Sequence, residues 1–236
     1  MSGRYRQHAY APGRSLLCRW EYVQGAEASP ALVLPDACVD LLWDGERLRI
    51  AGPDTRAQYA RIAPGRRISG LRFAPGAATR WLGVPLHVLA DQRVDLRDLG
   101  IPRLATLADR MAEHDADAMA WLADRILLDT PPRSDAISAA HARLSRARPD
   151  TVAQLARDLG ITERTLLRRC DEAFGYGPKL LARILRLQRF LRRRDHHANL
   201  LEAALDAGYY DAAQLAGDAR RLTGLTPTQL IAQVAD

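Results

Sequence analysis

The last third of the chain repeats one local plan twice, and this repeat constrains the fold more than any other feature. Within residues 151–232 the apolar spacing predicts a short helix, a glycine turn and a second helix that starts at a polar cap. The same order recurs after one long helix. The pattern therefore predicts two helix-turn-helix units joined by a single connecting helix.

The first unit carries its own start and stop signals. Thr151 stands three residues before Gln154, which is the spacing of a capping box. Gly160 can end the first helix in a left-handed conformation, and Thr162 can cap a second helix that runs to about Phe174. The inward face of this second helix is predicted to carry Leu166, Cys170, Ala173 and Phe174.

The opposite face of the second helix presents two arginines one turn apart. Guanidinium groups at Arg164 and Arg168 can bond guanine O6 and N7 or hold phosphates, and Thr165 and Leu167 beside them can contact a thymine methyl. An ordinary solvated arginine face explains the same residues equally well. These positions alone leave both interpretations open.

The rest of the segment completes the plan. Residues 175–178, Gly-Tyr-Gly-Pro, end the second helix and start a long one that reaches about Arg194. A short helix over residues 200–207 follows, Gly208 turns the chain, and Asp211 caps a last major helix through Leu222. Residues 223–227 then repeat the earlier glycine and proline pattern.

Taken together, residues 166–168, 175–178, 186–187, 208–211 and 220–227 resemble the AraC/XylS family of bacterial transcriptional regulators. The resemblance implies that each unit inserts its second helix into one of two successive major grooves of double-stranded DNA. RNA polymerase is a further implied partner if the protein is an activator. The candidate DNA-binding residues are Thr162, Arg164, Thr165, Leu167, Arg168, Lys179, Gln214, Arg220 and Arg221.

The second unit departs from the family pattern. Ala213, Leu215, Gly217 and Ala219 stand where a serine, a large aromatic residue, an arginine and another aromatic residue are usual. Ala213 and Gly217 are predicted to face outward, where they offer no side-chain donor. Basic residues exceed acidic ones over residues 151–194 and acidic ones prevail afterwards. We therefore expect the first unit and the connecting helix to supply the phosphate attraction, and the first unit to dominate base readout.

The N-terminal half has a different pattern. Branched and aromatic runs at residues 15–23, 31–34, 38–43, 47–50 and 68–73 are separated by turn residues, which predicts an antiparallel β-barrel or sandwich of cupin-like character. Helical spacing follows at residues 77–82, 85–91 and 104–128. The predicted class is α+β, with a β-rich domain at 1–130, a proline-containing linker at 131–136 and a helical domain at 137–236.

Residues 34–43, 52–55 and 70–76 resemble the uncharacterised N-terminal domain of a subset of these regulators, which implies a sensor by analogy alone. Asp36, Cys38 and Asp40 share one face by their spacing, so they can form a carboxylate-thiol metal site, or the thiol can be a buried apolar group while the aspartates cap strands or pair with arginines. The candidate ligand-binding residues are Trp20, Asp36, Cys38, Asp40, Trp43 and Arg72.

Other classes of protein lack support. No nucleophile elbow, phosphate-binding loop or pair of histidines at HxH or HxxxH spacing is present, so we expect neither catalysis, nor a cofactor, nor a metal. The three cysteines are too dispersed for a disulfide framework. Without an apolar span or a signal-like start, we expect a cytoplasmic protein with no membrane partner. The formal charge of +6 suits an anionic partner but carries little weight alone.

Two functions from different classes remain. The first is a transcription factor that responds to a small-molecule effector, and the alternative is a ligand-sequestering or protein-interaction module with weakened or lost DNA binding. Residues 104–128 could form a homodimer surface, or they could pack on their own β-domain.

Overall fold

The computed structural model describes residues 3–26, 30–114, 117–129 and 135–235. Its N-terminal part is an antiparallel β-structure with three helices, and its C-terminal part is helical, which confirms the predicted α+β class. Residues 131–134 of the predicted linker lie outside the described residues, and the next helix begins at Asp135. The domain limits remain a prediction.

The β-structure consists of two sheets. In the described residues the strands are β1 (Arg4–Ala9), β2 (Leu16–Val23), β3 (Ala31–Val33), β4 (Asp40–Trp43), β5 (Leu48–Ala51), β6 (Gln58–Ala60), β7 (Arg67–Phe73) and β8 (Arg93–Asp95). Six of them pair in the order β1-β2-β7-β4-β5-β8, and β3 pairs with β6. Since β1 and β8 lie at opposite edges, the six-stranded sheet is open, and the arrangement is a sandwich rather than a closed barrel.

Three of these strands were not predicted from the sequence. All six residues of β1 are exposed, so this edge strand shows no alternation of apolar and polar residues. The other two, β6 and β8, have three residues each and do not contain a run of apolar residues. These three strands form because each pairs with a neighbouring strand, and such pairing cannot be predicted from the local sequence pattern.

The pleat of the six-stranded sheet separates two environments. Leu41, Trp43 and Phe73 are buried on the face covered by α1 (Ala78–Leu82), α2 (Pro102–Arg110) and α3 (Ala118–Asp129). Neighbouring residues such as Asp40 and Arg72 point to the other face, because successive side chains alternate along a strand. The sheet therefore has one apolar, helix-covered face and one face that lines a cavity.

The helical stretch considered as a dimer surface packs within its own domain. Leu104, Met111, Leu122 and Ile126 from this stretch are buried in the core between the helices and the sheet. The stretch forms two helices, α2 and α3, rather than one. Its apolar stripe is already covered, which supports the alternative of packing on its own β-domain, and a homodimer remains a prediction.

The C-terminal helices are α4 (Asp135–Leu144), α5 (Val152–Asp158), α6 (Glu163–Phe174), α7 (Pro178–Arg193), α8 (Leu200–Asp206), α9 (Ala212–Thr223) and α10 (Pro227–Ala235). They bury a second core, which also contains Ala37 and contacts Leu32 and Leu34 from the N-terminal part. The two halves of the chain thus share packing. No helix in the described residues is long and apolar enough to cross a membrane.

Candidate nucleic-acid interface and sheet cavity

The first helix-turn-helix unit consists of α5 and α6, and its predicted caps are present. Thr151 Oγ1 accepts the N–H of Gln154 at 3.2 Å, and Gln154 Oε1 accepts the N–H of Thr151 at 3.0 Å, which completes the capping box. Thr162 Oγ1 accepts the N–H of Thr165 at 3.1 Å at the start of α6. Gly160, with φ of +64°, makes the turn between the helices.

The two ends of α6 have different environments. Its C-terminal end packs on the N-terminal half: Thr79 Oγ1 donates to the Glu172 carbonyl at 2.9 Å, and His87 Nδ1 lies 3.3 Å from an Asp171 carboxylate oxygen. Arg164 and Arg168, nearer the N-terminus, are exposed. In a groove-binding helix this is the end that contacts base edges.

Each candidate on α6 has a defined position. The side chain of Leu167 is exposed beside the two arginines, whereas that of Thr165 is half-buried. Arg168 Nη1 lies 2.7 Å from Glu172 Oε1, one turn away on the same helix. Such exposed pairs contribute little stability, so a phosphate or a base can replace the carboxylate at small cost. Lys179 is exposed at the start of α7.

The connecting helix α7 corrects one expectation. Arg183 Nε and Arg186 Nη2 lie 2.9 Å and 2.7 Å from the two oxygens of Asp218, a buried residue of α9. The buried Arg189 donates to the carbonyl oxygens of Ala207 and Ser145. These arginines hold helices together, so the expectation that α7 as a whole attracts phosphates is wrong for its central residues.

The second unit consists of α8 and α9, and each helix begins at a side-chain cap. The cap of α9, Asp211, was predicted, and that of α8 is Asn199. Asn199 Oδ1 accepts the N–H of Glu202 at 3.0 Å, and Asp211 Oδ1 accepts the N–H of Gln214 at 2.7 Å. Gln214, Arg220 and Arg221 are exposed, as are Ala213 and Gly217. The outward face of α9 therefore lacks donors at the two positions noted in the sequence.

A cavity of about 570 Å³ lies between the six-stranded sheet and the β3–β6 sheet, and we call it the sheet cavity. Five of the six predicted ligand-binding residues line it: Trp20, Asp36, Cys38, Asp40 and Arg72. Trp43 does not, because the pleat directs it to the helix-covered core. Further lining residues that were not predicted are Tyr5, Tyr22, Asp54, Arg93 and Gln188.

One of these missed residues had a signal in the sequence. Tyr22 follows Trp20 by two residues on β2, so both point to the same face. Arg93 and Asp54 are 39 residues apart and meet only through the fold. No local pattern identifies such a pair.

Two carboxylates in the cavity share one guanidinium. Arg72 donates from Nε and Nη2 to Asp40 at 3.0 Å and 2.9 Å, and its Nη1 lies 3.1 Å from Asp36 Oδ2. Burial opposes the charge on Arg72, but attraction by the Asp40 and Asp36 carboxylates outweighs it and raises the pKa of the guanidinium. Burial raises the pKa of the Asp36 carboxyl, and Arg72 only partly offsets this.

This geometry supports one of the two alternatives for Asp36, Cys38 and Asp40. Asp36 Oδ1 accepts the N–H of Cys38 at 2.9 Å, and both aspartates pair with Arg72. Among the described residues, no group of three or more potential ligand side chains has metal-binding geometry. Asp36 thus caps the backbone at Cys38 and both aspartates pair with Arg72, as the second alternative states.

A second pair closes another part of the cavity. Arg93 donates from Nη1 and Nη2 to the oxygens of Asp54 at 3.0 Å and 2.6 Å, and Gln58 Nε2 donates to the same carboxylate at 2.9 Å. Burial raises the pKa of Asp54, and the hydrogen bonds from Arg93 work against that change. Asp54 and Arg93 therefore form a locally neutral pair.

The sheet cavity also touches the helical domain. Gln188 of α7 lines it, and its Nε2 donates to the Pro35 carbonyl at 2.8 Å. The segment that contains β6 is bonded to the helices as well: the N–H of Ala57 donates to the Leu222 carbonyl at 2.6 Å, and Tyr59 Oη donates to Gln233 Oε1 at 3.2 Å. One wall of the cavity is thus attached to the connecting helix α7, to α9 of the second unit and to α10.

Two family models match separate parts of this chain. Residues 155–233 match a family model described as a helix-turn-helix domain, and residues 14–95 match one described as a domain of unknown function, DUF6597. No curated protein sequence matched the chain.

Solved structures of ToxT from Vibrio cholerae are similar over nearly the whole chain. One has 7% identity and a TM-score of 0.49, with 97% of each chain covered. Another, bound to (E)-4-(8-methylnaphthalen-1-yl)but-3-enoic acid, has 9% identity and a TM-score of 0.46, with 99% of this chain and 100% of that chain covered.

Proposed function

We propose, from the premise that the C-terminal third of this chain is an AraC-type helix-turn-helix domain, that the protein is a DNA-binding transcriptional regulator whose first unit reads the operator and whose sheet cavity binds an effector. The proposal assigns no reaction to the chain. Its partners are double-stranded DNA and a small molecule.

The exposed N-terminal half of α6 is the observation that carries the proposal. Arg164 and Arg168 lie one turn apart on this surface, and Leu167 lies between them. A bidentate arginine contact to guanine discriminates against a wrong base by about 1–3 kcal/mol. The corresponding outward positions of α9, Ala213 and Gly217, offer no such contact, so readout is assigned mainly to the first unit.

The proposed effector role of the sheet cavity rests on residues that both line the cavity and contact the helical domain. The wall formed by β3 and β6, together with Gln188, belongs to the sheet cavity and contacts the helical domain. A ligand shifts a conformational equilibrium only if it interacts differently with the two states. A ligand in this cavity would alter the contacts at that wall, and so would act on the placement of the connecting helix and the second unit.

A gel-shift titration against the DNA upstream of the protein's own gene, at several salt concentrations, tests the DNA-binding part. We expect Arg164→Ala and Arg168→Ala each to weaken specific binding by about ten- to a hundred-fold. Arg47→Ala, at an exposed turn between β4 and β5, is the matched control and should leave binding unchanged. Changes at Gln214 and Arg221 should have smaller effects.

Two results would contradict the proposal. If Arg168→Ala is harmless while changes at Gln214 and Arg221 abolish binding, the assignment of readout to the first unit is wrong. If binding at low salt is absent or does not depend on salt, the protein lacks the phosphate contacts of a DNA reader. That second result would favour a ligand-sequestering or protein-interaction module.

A further inference from the structure

The charged groups that line the sheet cavity do not balance. Among the described residues that line it, the three carboxylates of Asp36, Asp40 and Asp54 face the two guanidinium groups of Arg72 and Arg93. Arg93 forms an ion pair with Asp54 alone, whereas Arg72 forms ion pairs with both Asp36 and Asp40. One negative charge is therefore in excess at the Asp36 and Asp40 end of the cavity.

The two guanidinium groups are already engaged. Arg72 uses Nε and Nη2 on Asp40 and Nη1 on Asp36, and Arg93 uses both Nη atoms on Asp54. The remaining N–H donors of each guanidinium lie beside these carboxylates, so an anionic ligand that bound them would also be repelled by Asp36, Asp40 or Asp54. The carboxylates differ, because each pair of oxygens has about four lone-pair sites and can accept further donors.

Aromatic rings stand beside this excess charge. The Tyr5 and Trp20 rings have centroids 5.9 Å apart, and Tyr22 and Tyr59 also line the cavity. Trp20 lies against Gly70 of β7, where an added Cβ would be 2.1 Å from the indole ring. The glycine therefore lets the indole lie close to the sheet and form a flat wall.

We propose that the sheet cavity binds an organic cation, namely an amine with an apolar body, whose ammonium group contacts Asp36 and Asp40 and whose body contacts the aromatic walls. This proposal rests on the proposed function, since it names the class of effector for the same cavity. Ring faces attract cations through their quadrupole, and desolvation strengthens that attraction. A volume of about 570 Å³ is in the range of small-molecule sites.

The ionisation of Asp36 agrees with this assignment. Burial raises the pKa of its carboxyl, so the excess negative charge is held at a desolvation cost when no cation is bound. A bound ammonium group would favour the charged form and lower that pKa. Binding of the amine should therefore release protons near the pKa of the carboxyl.

Isothermal titration calorimetry on the full-length protein without DNA tests the proposal. The probes are phenylbutylamine and naphthylbutylamine, each compared with the alcohol and the carboxylate that share its ring and chain. We expect the amine of each set to bind most tightly and the carboxylate most weakly. This comparison uses the wild-type protein, so it does not depend on the folding of any variant.

One substitution and a control sharpen the assignment. Asp36→Asn should lower the affinity for the amines about tenfold, while the affinity for the alcohols changes less than about twofold. Glu46→Gln removes an exposed carboxylate in the turn between β4 and β5 and should change neither.

Three results would overturn the proposal: a carboxylate that binds as tightly as its amine, an Asp36→Asn protein with unchanged amine affinity, or no binding of any amine at millimolar concentration. Because the calorimetry contains no DNA, these results are separable from a failure of DNA binding.

Discussion

The side-chain amide of Gln188 donates a hydrogen bond of 2.8 Å to the carbonyl oxygen of Pro35. Gln188 belongs to the helix that connects the two helix-turn-helix units, and Pro35 precedes the segment that carries Asp36 and Cys38. This bond joins the backbone of a wall of the sheet cavity, at Pro35, to a side chain of the connecting helix. In the proposed function, this contact is the one through which occupation of the cavity would act on the helices.

Removal of this bond by Gln188→Ala should lower the free energy of unfolding by about 1 kcal/mol, the usual net worth of one hydrogen bond. Urea denaturation measures that change. In gel shifts with and without phenylbutylamine, the effect of the ligand on DNA affinity should be smaller than in the wild type. Gln92→Ala, at an exposed position, is the control. An unchanged ligand effect would exclude this route.

Removal of the Asp218 carboxylate should destabilise the folded protein, because this residue pairs with two arginines of α7. It is 5% exposed and lies between Arg183 and Arg186 of α7, so Asp218→Ala would leave two half-buried guanidinium groups without their carboxylate. We expect a loss of about 3 kcal/mol in urea denaturation.

The matched control for Asp218 is Asp195→Ala. Its carboxylate lies 3.3 Å from Arg194 Nε, but the side chain is 79% exposed, and exposed pairs contribute at most about 1 kcal/mol. Equal stability losses for the two variants would contradict the view that α7 and α9 are held together by these arginines.

Two glycines of the second unit should respond in opposite directions to alanine. Gly208 has φ of +89°, and an added Cβ would lie 1.8 Å from the Ala147 carbonyl oxygen, so Gly208→Ala should cost at least about 2 kcal/mol. Gly217 lies inside α9 with open space around it, and Gly217→Ala should stabilise the protein by about 0.5–1 kcal/mol.

Thermal unfolding of the two glycine variants distinguishes these effects. The melting temperature should fall for Gly208→Ala and rise for Gly217→Ala. A fall for both would contradict the prediction for Gly217, because it would mean that the exposed surface of α9 does not accept a methyl group without a loss of stability.

The thiols should react slowly in the folded protein. Burial, with a smaller contribution from Asp171, raises the pKa of Cys170 to about 12, and burial and Asp36 raise the pKa of Cys38 well above its usual range. Burial also raises the pKa of Cys18. Because the thiolate is the reactive form, its fraction at pH 8 is small and grows as the pH rises toward each pKa.

Ellman's reagent measures this reactivity. Native protein at pH 8 should react much more slowly than protein unfolded in urea, and the rate should increase with pH. Cys38 lines the cavity, so Cys38→Ser should remove the fastest native phase. A full equivalent of thiol that reacts within seconds in the native protein would contradict these pKa directions.

Local patterns predicted most of the helical domain because its signals lie within a few residues of each other. The capping box at Thr151, the turn at Gly160 and the caps at Thr162 and Asp211 are all present where the sequence indicates them. The same holds for the separation on α6 between the inward Leu166 and the outward Arg164. Hydrogen bonds that span three or four residues need no tertiary partner to be predicted.

The cavity was predicted less completely. The two-residue spacing before β4 grouped Asp36, Cys38 and Asp40, all of which line the cavity. Trp20 and Trp43 were both candidates, but Trp43 lies in the helix-covered core. The pairing of Arg72 with both aspartates was an open alternative, and the pairing of Arg93 with Asp54 was not predicted. Partners so far apart along the chain become neighbours only when β7 and β8 take their places in the sheet.

The sequence by itself determined the double helix-turn-helix plan, the identity of the exposed arginines on α6 and the absence of side-chain donors at Ala213 and Gly217 of α9. Only the tertiary structure decided which charges remain available, because Arg183, Arg186 and Arg189 look alike in the sequence yet are bound to partners on other elements. It also decided that Gln188 reaches the cavity. Local hydrogen bonds and helical periodicity act over one or two turns, whereas ion pairing and cavity formation depend on which distant segments pack together.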